Sequence, residues 1–280
     1  MATAQTINND CLSGLKSLKD TNLLKLTDTI ADESLCSSWK GVEFDADGYV
    51  TLLDFGGKRL YKGLPCSVDI FEQFSRLSKL NLAGTDLPLS DIILILEKVS
   101  KQIECLYVGG NGIRQEGGQA IGAWLPSATK LKKLDLRYND LGGEGMENLC
   151  DGLKDTNVEH LYAEGNQIGD QGAIAISKLL KNPNSSLREV FLGGNNVQAK
   201  GAFEVALSLQ SNKTVSKIYL EGNSIGLEGA NAFSNVLEEL DGNTSLKNLF
   251  VDNNNIGKEG SKRLAKALNS ATAIGDSLLE

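Results

Sequence analysis

Residues 158–172 read VEHLYAEGNQIGDQG, and the eight residues that follow, AIAISKLL, are mostly apolar. In the first part Val158, Leu161, Ala163, Asn166 and Ile168 stand at the spacing L-x-x-L-x-L-x-x-N-x-L. The alternation around Leu161–Ala163 describes a short strand whose apolar side chains turn inward. Asn166 stands where its side chain can bond backbone groups in the turn that leaves the strand. Gly169 and Gly172 suit the loop and the helix start. Ala173 to Leu180 then reads as a helix with an apolar stripe through Ile174, Ile176, Leu179 and Leu180.

The same phrase recurs along the chain. Its second apolar position falls at Leu53, Leu80, Leu106, Leu134, Leu161, Val190, Ile218 and Leu249, in steps of 26 to 31 residues. The asparagine position is Asn111, Asn139, Asn166, Asn195, Asn223 and Asn254, with Thr85 and Lys58 in the two weaker first copies. Equivalent helices are expected to begin near Gly118, Gly145, Gly201, Gly229 and Gly260. One strand-plus-helix unit cannot bury its apolar face alone, so neighbours must stack. The fold class is therefore α/β: a right-handed solenoid, with parallel strands on the concave wall because helices need more width than strands. The repeats would occupy residues 50–270, after a helical cap over 1–49 and before a tail or minimal cap over 271–280.

This motif and its period of about 28 residues resemble the ribonuclease-inhibitor-like class of leucine-rich repeats. The class also occurs in innate-immune receptors and Ran GTPase-activating proteins, and the resemblance covers roughly residues 77–270. It implies a horseshoe with helices on the convex face. It speaks to scaffold rather than to function.

Solenoids need covered ends. Residues 10–33 read as two short helices, followed by Cys36, Trp39, Gly41 and Val42. This resembles the N-terminal cap of plant-type leucine-rich-repeat proteins, in which C-x-x-W-x-G-V-x-C closes a disulfide. Phe44 replaces the second cysteine of that pattern, so the bond is absent. At the other end Ile274, Leu278 and Leu279 could fold back over the last repeat, or a partner could cover that edge.

The residue between the last two apolar positions of each strand must face the concave wall. That column reads Asp54, Asn81, Tyr107, Asp135, Tyr162, Phe191, Tyr219 and Phe250, five of them aromatic. Two positions on it reads Gly56, Ala83, Gly109, Arg137, Glu164, Gly193, Glu221 and Asp252. The next column is glycine except for Tyr138 and Asn253. An aromatic ridge thus runs beside a nearly bare channel, with Glu164, Glu221 and Asp252 acidic within it. Solvent-facing aromatic rows suit a protein or peptide partner, and the acids favour a basic or neutral one. Asp135, Arg137 and Tyr138 interrupt the columns within one repeat and mark a candidate specificity spot, flanked by Lys132 and Lys133. His160 stands on the same wall.

Composition narrows the chemistry. The chain has 280 residues, 41% hydrophobic and 23% charged, which describes a folded chain and not a disordered one. His160 is the single histidine, so no multi-histidine metal centre can form, and the one serine or cysteine at matching height is Cys105, two repeats away. A net charge of −8 argues against nucleic acid. The longest apolar run, Ile92–Leu96, is too short to span a bilayer. Met1–Asp10 is polar and shows no secretory signal, and the five cysteines are odd in number and widely spaced. The sequons at Asn184, Asn212 and Asn243 all fall in helix-to-strand loops, where turn chemistry favours those residues. DADG at 45–48 reads as a turn, not a calcium loop.

These features predict a cytoplasmic, non-enzymatic protein-interaction scaffold. It would bind a protein or peptide through Tyr107, Asp135, Arg137, Tyr138, His160, Tyr162, Glu164, Phe191, Tyr219, Glu221, Phe250 and Asp252, without cofactor, metal, nucleic acid or membrane insertion. Three other roles fit the same sequence: a Ran-type GTPase-activating protein, an extracellular or lumenal recognition module, and a structural subunit of a larger complex.

Overall fold

The second apolar position of each repeat becomes the centre of a short strand. In the computed structural model, which describes residues 7–20, 41–60, 62–63, 66–240 and 244–271, Leu80, Leu106, Leu134, Leu161, Val190 and Ile218 are fully buried and Leu249 is nearly so. The chain divides into two compact units, residues 1–111 with 127–132 and residues 112–126 with 133–280.

The first unit contains helix α1 (Asn9–Asp20), strands β1 (Val42–Phe44), β2 (Val50–Asp54) and β3 (Lys79–Asn81), helix α2 (Leu89–Val99) and strand β4 (Cys105–Tyr107). Strands β2, β3 and β4 are parallel and in register, Leu53 opposite Leu80 and Leu80 opposite Leu106. Strand β1 pairs antiparallel with β2. It adds a strand to the helical cap expected over 1–49: the turn at 45–48 folds Val42–Phe44 back onto the first repeat. That turn is closed by Asp45, whose Oδ1 accepts the Asp47 and Tyr49 N–H groups at 3.0 Å each. Arg76 Nη1 reaches Asp45 at 2.8 Å and Asp47 at 2.7 Å. Of the two expected cap helices the first is α1. The second, with Cys36 and Trp39, lies outside the described residues, as do Ile274, Leu278 and Leu279.

The second unit alternates helix and strand: α3 (Arg114–Trp124), β5 (Lys133–Asp135), α4 (Gly142–Leu153), β6 (His160–Tyr162), α5 (Gly169–Lys181), β7 (Glu189–Phe191), α6 (Ala199–Ser208), β8 (Lys217–Tyr219), α7 (Gly226–Leu240), β9 (Asn248–Phe250) and α8 (Gly257–Ala271). Its five strands are parallel and unshifted, so that Leu134, Leu161, Val190, Ile218 and Leu249 form one line.

The expected asparagine ladder is present. Asn139, Asn166 and Asn195 each donate their backbone N–H to the side-chain oxygen of the next asparagine, at 3.1, 2.8 and 2.9 Å. The Asn195 amide also donates to the Ala163 carbonyl at 2.9 Å. Turns buried between repeats would otherwise leave these groups unpaired, at about 1–3 kcal/mol each. In the first unit Thr85 serves instead, its hydroxyl donating to the Leu82 carbonyl at 2.8 Å while Asn111 Oδ1 accepts its N–H at 2.9 Å.

The helices begin earlier than the glycines suggested. α5 starts at Gly169 and not Ala173, and α4 at Gly142 and not Gly145. The first glycine of the pair carries the turn, Gly169 with φ +56°. The second lies inside the first helical turn, where a neighbouring helix comes close: a Cβ on Gly118 would run into the Gly145 carbonyl. The buried stripe of α5 shifts accordingly. Gly172, Ala173, Ala175, Ile176, Ser177, Leu179 and Leu180 are buried, and Ile174 is half-exposed. Small residues win the inward positions because repeats pack closely.

Candidate functional site

Strict register turns each outward position of the second unit into a row. The first row is Lys133, His160, Glu189, Lys217 and Asn248, and the second is Asp135, Tyr162, Phe191, Tyr219 and Phe250. Two residues beyond each strand's end, and by side-chain alternation on the same face, stand Arg137, Glu164, Gly193, Glu221 and Asp252.

The four rings of the second row form one continuous stack. Tyr162 and Phe191 have centroids 4.4 Å apart at 16°, Phe191 and Tyr219 4.0 Å at 11°, and Tyr219 and Phe250 4.4 Å at 8°. All four side chains are half-buried. Parallel in-register strands alone impose this: equivalent residues recur about 4.8 Å apart, close to ring thickness. The rings spend their faces on one another and show their edges to solvent. Burial raises the Tyr162 and Tyr219 hydroxyls above the ordinary tyrosine pKa, so both stay protonated at neutral pH.

Arg137 closes one end of the stack, its guanidinium carbon 5.6 Å from the Tyr162 centroid. Asp135 holds it there by a fork of two short bonds, Nε to Oδ1 at 3.0 Å and Nη2 to Oδ2 at 2.6 Å. Asp135 is itself only 4% exposed. It positions Arg137 and does not present itself to a partner. Tyr138 is the opposite case, 68% exposed. Its φ of +56° is a conformation glycine holds in six other repeats, and its ring lies against Gly165. A large side chain in that backbone region is strained, by about 1 kcal/mol or more.

Carboxylates on this face fall into two kinds. Glu189 lies between His160 and Lys217, Oε2 3.1 Å from His160 Nδ1 and Oε1 3.0 Å from Lys217 Nζ. Burial opposes its ionisation, but the bonds from Lys217 and His160 outweigh that and hold the carboxyl below its ordinary value. Glu164 is different: its Oε2 is buried and accepts no hydrogen bond. Burial pushes its pKa up, Asp135 and Glu221 add repulsion, and Arg137 offsets only part. Glu221 is likewise pushed up, by burial and by Asp252.

The structure thus gathers eleven of the twelve expected site residues on the second unit's strand face. Tyr107 belongs to β4 of the first unit, where it follows Asp54 and Asn81 in the corresponding row. Lys217 and Glu189 were not among the expected residues. Both stand two positions before a ring, on the same face by alternation, and that spacing was the available signal. Elsewhere, Asn212 is buried at 4% exposure, with its amide donating to the Leu180 carbonyl at 2.8 Å. The Asn184 amide donates to Asp155 at 3.0 Å, and Asn243 lies outside the described residues. Among the described residues no helix is long and apolar enough to cross a membrane.

A family profile described as "Leucine Rich repeat" matches residues 127–150 and 154–177. The chain is similar to NACHT, LRR and PYD domains-containing protein 3 of Macaca mulatta, 26% identical over 211 residues, covering 73% of this chain and 20% of that protein. It is similar to ribonuclease inhibitor of Sus scrofa, 28% identical over 145 residues, or 51% of this chain and 31% of that protein. The chain therefore spans about a fifth to a third of these relatives' length. Among solved structures, leucine-rich repeat-containing protein LegL7 from Legionella pneumophila matches at a TM-score of 0.43 and 16% identity, over 75% of this chain and 78% of that one. Leucine-rich-repeat proteins generally mediate protein–protein interaction, and folds of this class are typically non-enzymatic. The repeat phrase, the asparagine ladder and the matched profile make the fold a leucine-rich-repeat solenoid, and the chain is similar to proteins of the ribonuclease-inhibitor-like class.

Proposed function

We propose that the protein is a non-enzymatic scaffold that binds a protein or peptide partner through the aromatic strand face of its second unit. The stack of Tyr162, Phe191, Tyr219 and Phe250 carries this reading. Ring edges held in a rigid line offer apolar contact area without the entropy cost of ordering flexible side chains on binding. Tyr138 and Arg137 at one end supply an exposed ring and a fixed cation, the side-chain types that dominate binding hot spots. His160 and Lys217, both engaged by Glu189, form the polar rim.

The test is affinity purification from the native source with wild-type protein, with the Tyr162→Ala/Phe191→Ala/Tyr219→Ala variant, and with Phe203→Ser as control. Phe203 is 46% exposed on helix α6, away from the strand face. Partners are expected with wild type and control, and their loss from the triple variant. Equal recovery on all three proteins overturns the proposal.

A cytoplasmic setting belongs to the same proposal. Cys11, Cys66, Cys105 and Cys150 remain thiols, and the buried, bonded Asn212 is a poor acceptor for a glycan. Thiol titration of the denatured native protein should find five thiols per chain, matching its five cysteines. Fewer would place the protein in an oxidising compartment.

A further inference from the structure

We propose that the segment occupying the aromatic face carries a basic side chain, seated over Gly193 between Glu164 and Glu221. This rests on the reading of that face as a binding surface and names the chemistry of what it binds. Gly193 leaves a gap in the third row. A Cβ placed on it would stand 3.6 Å from Glu164 Cγ and 3.9 Å from Glu221 Oε2, so both side chains border the same space. Glu164 Oε2, on the side chain that borders this space, is buried and has no donor. Among the described residues neither glutamate makes a salt bridge, whereas Glu159 is met by Arg188 and Glu189 by Lys217 and His160.

The contrast argues for complementarity with something outside the chain. A buried carboxylate oxygen without a donor is costly, and native structures seldom retain one without a use. A guanidinium or ammonium group supplies several N–H donors at once, and charge-assisted bonds of this kind are the strong ones. The rings do not compete for that cation. The faces of Tyr162, Phe191 and Tyr219, the rings of the repeats that carry Glu164, Gly193 and Glu221, are covered by neighbouring rings and, at Tyr162, by Arg137, and the edges they expose carry the positive end of the ring quadrupole. Cation and apolar groups of the occupant are thus sorted onto adjacent rows. Asp252, exposed beside Glu221, extends the acidic row, and the chain's net charge of −8 favours the approach of a basic segment.

The probe is a phage-displayed library of random peptides selected on the immobilised full chain, followed by fluorescence anisotropy with the selected peptides. Arginine or lysine among apolar residues should be enriched, and rising salt should weaken binding. Affinity should fall roughly tenfold or more in Glu164→Gln/Glu221→Gln, a change that keeps shape and polarity at half-exposed positions. Thermal unfolding checks that each variant is folded. Absence of basic residues, or unchanged affinity in the glutamine variant, overturns the proposal. Neutral peptides that bind wild type but not Tyr162→Ala/Phe191→Ala/Tyr219→Ala would leave the face a binding surface and remove only its charge preference. Peptides that bind the triple alanine variant as well as wild type, or a selection that yields no binder, would remove both readings.

Discussion

The two units use the same repeat backbone and dress it differently. In the first unit the outward row begins with Asp54 and Asn81, and both turn back on their surroundings. Asp54 Oδ1 accepts the Gly56 N–H at 2.8 Å and the Asn81 amide at 2.7 Å, and Asn81 Oδ1 accepts the Ala83 N–H at 2.9 Å. These side chains are spent on the strand ends they sit beside. In the second unit the rings from Tyr162 to Phe250 stack on one another, with Arg137 over the first of them. An outward residue satisfied by its own backbone is part of the scaffold. A row satisfied only by its neighbours leaves an edge for something else.

The comparison requires that the inward residues be equivalent, and there the largest effects lie. Leu80→Ala in the first unit and Leu161→Ala in the second each empty a fully buried position. Each should cost about 2–5 kcal/mol in urea unfolding. A much smaller loss at Leu80 would break the idea of one scaffold. Asn195→Ala should come next, at about 1–3 kcal/mol, because it strands the Asn166 N–H and removes one of the two side-chain amides that donate to the Ala163 carbonyl. Thr85→Ala should cost less, since Asn111 Oδ1 still accepts the backbone N–H at 85.

The rings come after the core. Phe191 has two stacked neighbours and Phe250 one. At about 0.5–1.5 kcal/mol per aromatic pair, Phe191→Ala should lose roughly twice the stacking of Phe250→Ala, read from unfolding midpoints. Partner affinity should follow the same order, with Tyr107→Ala, in the other unit, leaving it nearly unchanged. Equal loss of affinity from Tyr107→Ala would extend the binding surface beyond the second unit's stack.

How much of this the sequence discloses depends on the range of the interaction. The strands, the ladder and the aromatic row are periodic, so position within the repeat alone assigns Leu161, Asn166 and Tyr162 to core, turn and face. Helix starts fall before Gly118 and Gly172 because these glycines serve close packing and not loops: Gly118 meets the backbone of the next repeat, and Gly172 the Ile168 side chain of its own. The β1 hairpin is outside the period altogether. At the site, Tyr162 and Glu164 were legible as outward residues. That Asp135 is buried under Arg137, or that Glu189 is paired and Glu164 is not, depends on side-chain reach between repeats, which spacing does not encode.

That last distinction yields the smallest effect and the one most specific to this face. The folded-state pKa values of Glu164 and Glu221 are raised, so their ionised forms are disfavoured in the native protein. They cost stability at neutral pH, and the cost is recovered as pH falls through the raised values toward that of an ordinary glutamate, near 4.3. Glu189 has the opposite sign. Its lowered pKa contributes stability above the ordinary glutamate range, lost as pH falls through the lowered value. In thermal unfolding followed against pH, Glu164→Gln/Glu221→Gln should therefore match or exceed wild type at pH near 7, the difference closing on acidification. Glu189→Gln should fall below wild type near 7, and that deficit should close only at lower pH. Effects of the same sign from both variants would mean that Glu164 and Glu221 are compensated within the chain after all. The carboxylates beside Gly193 would then have no more call on an outside cation than Glu189 has.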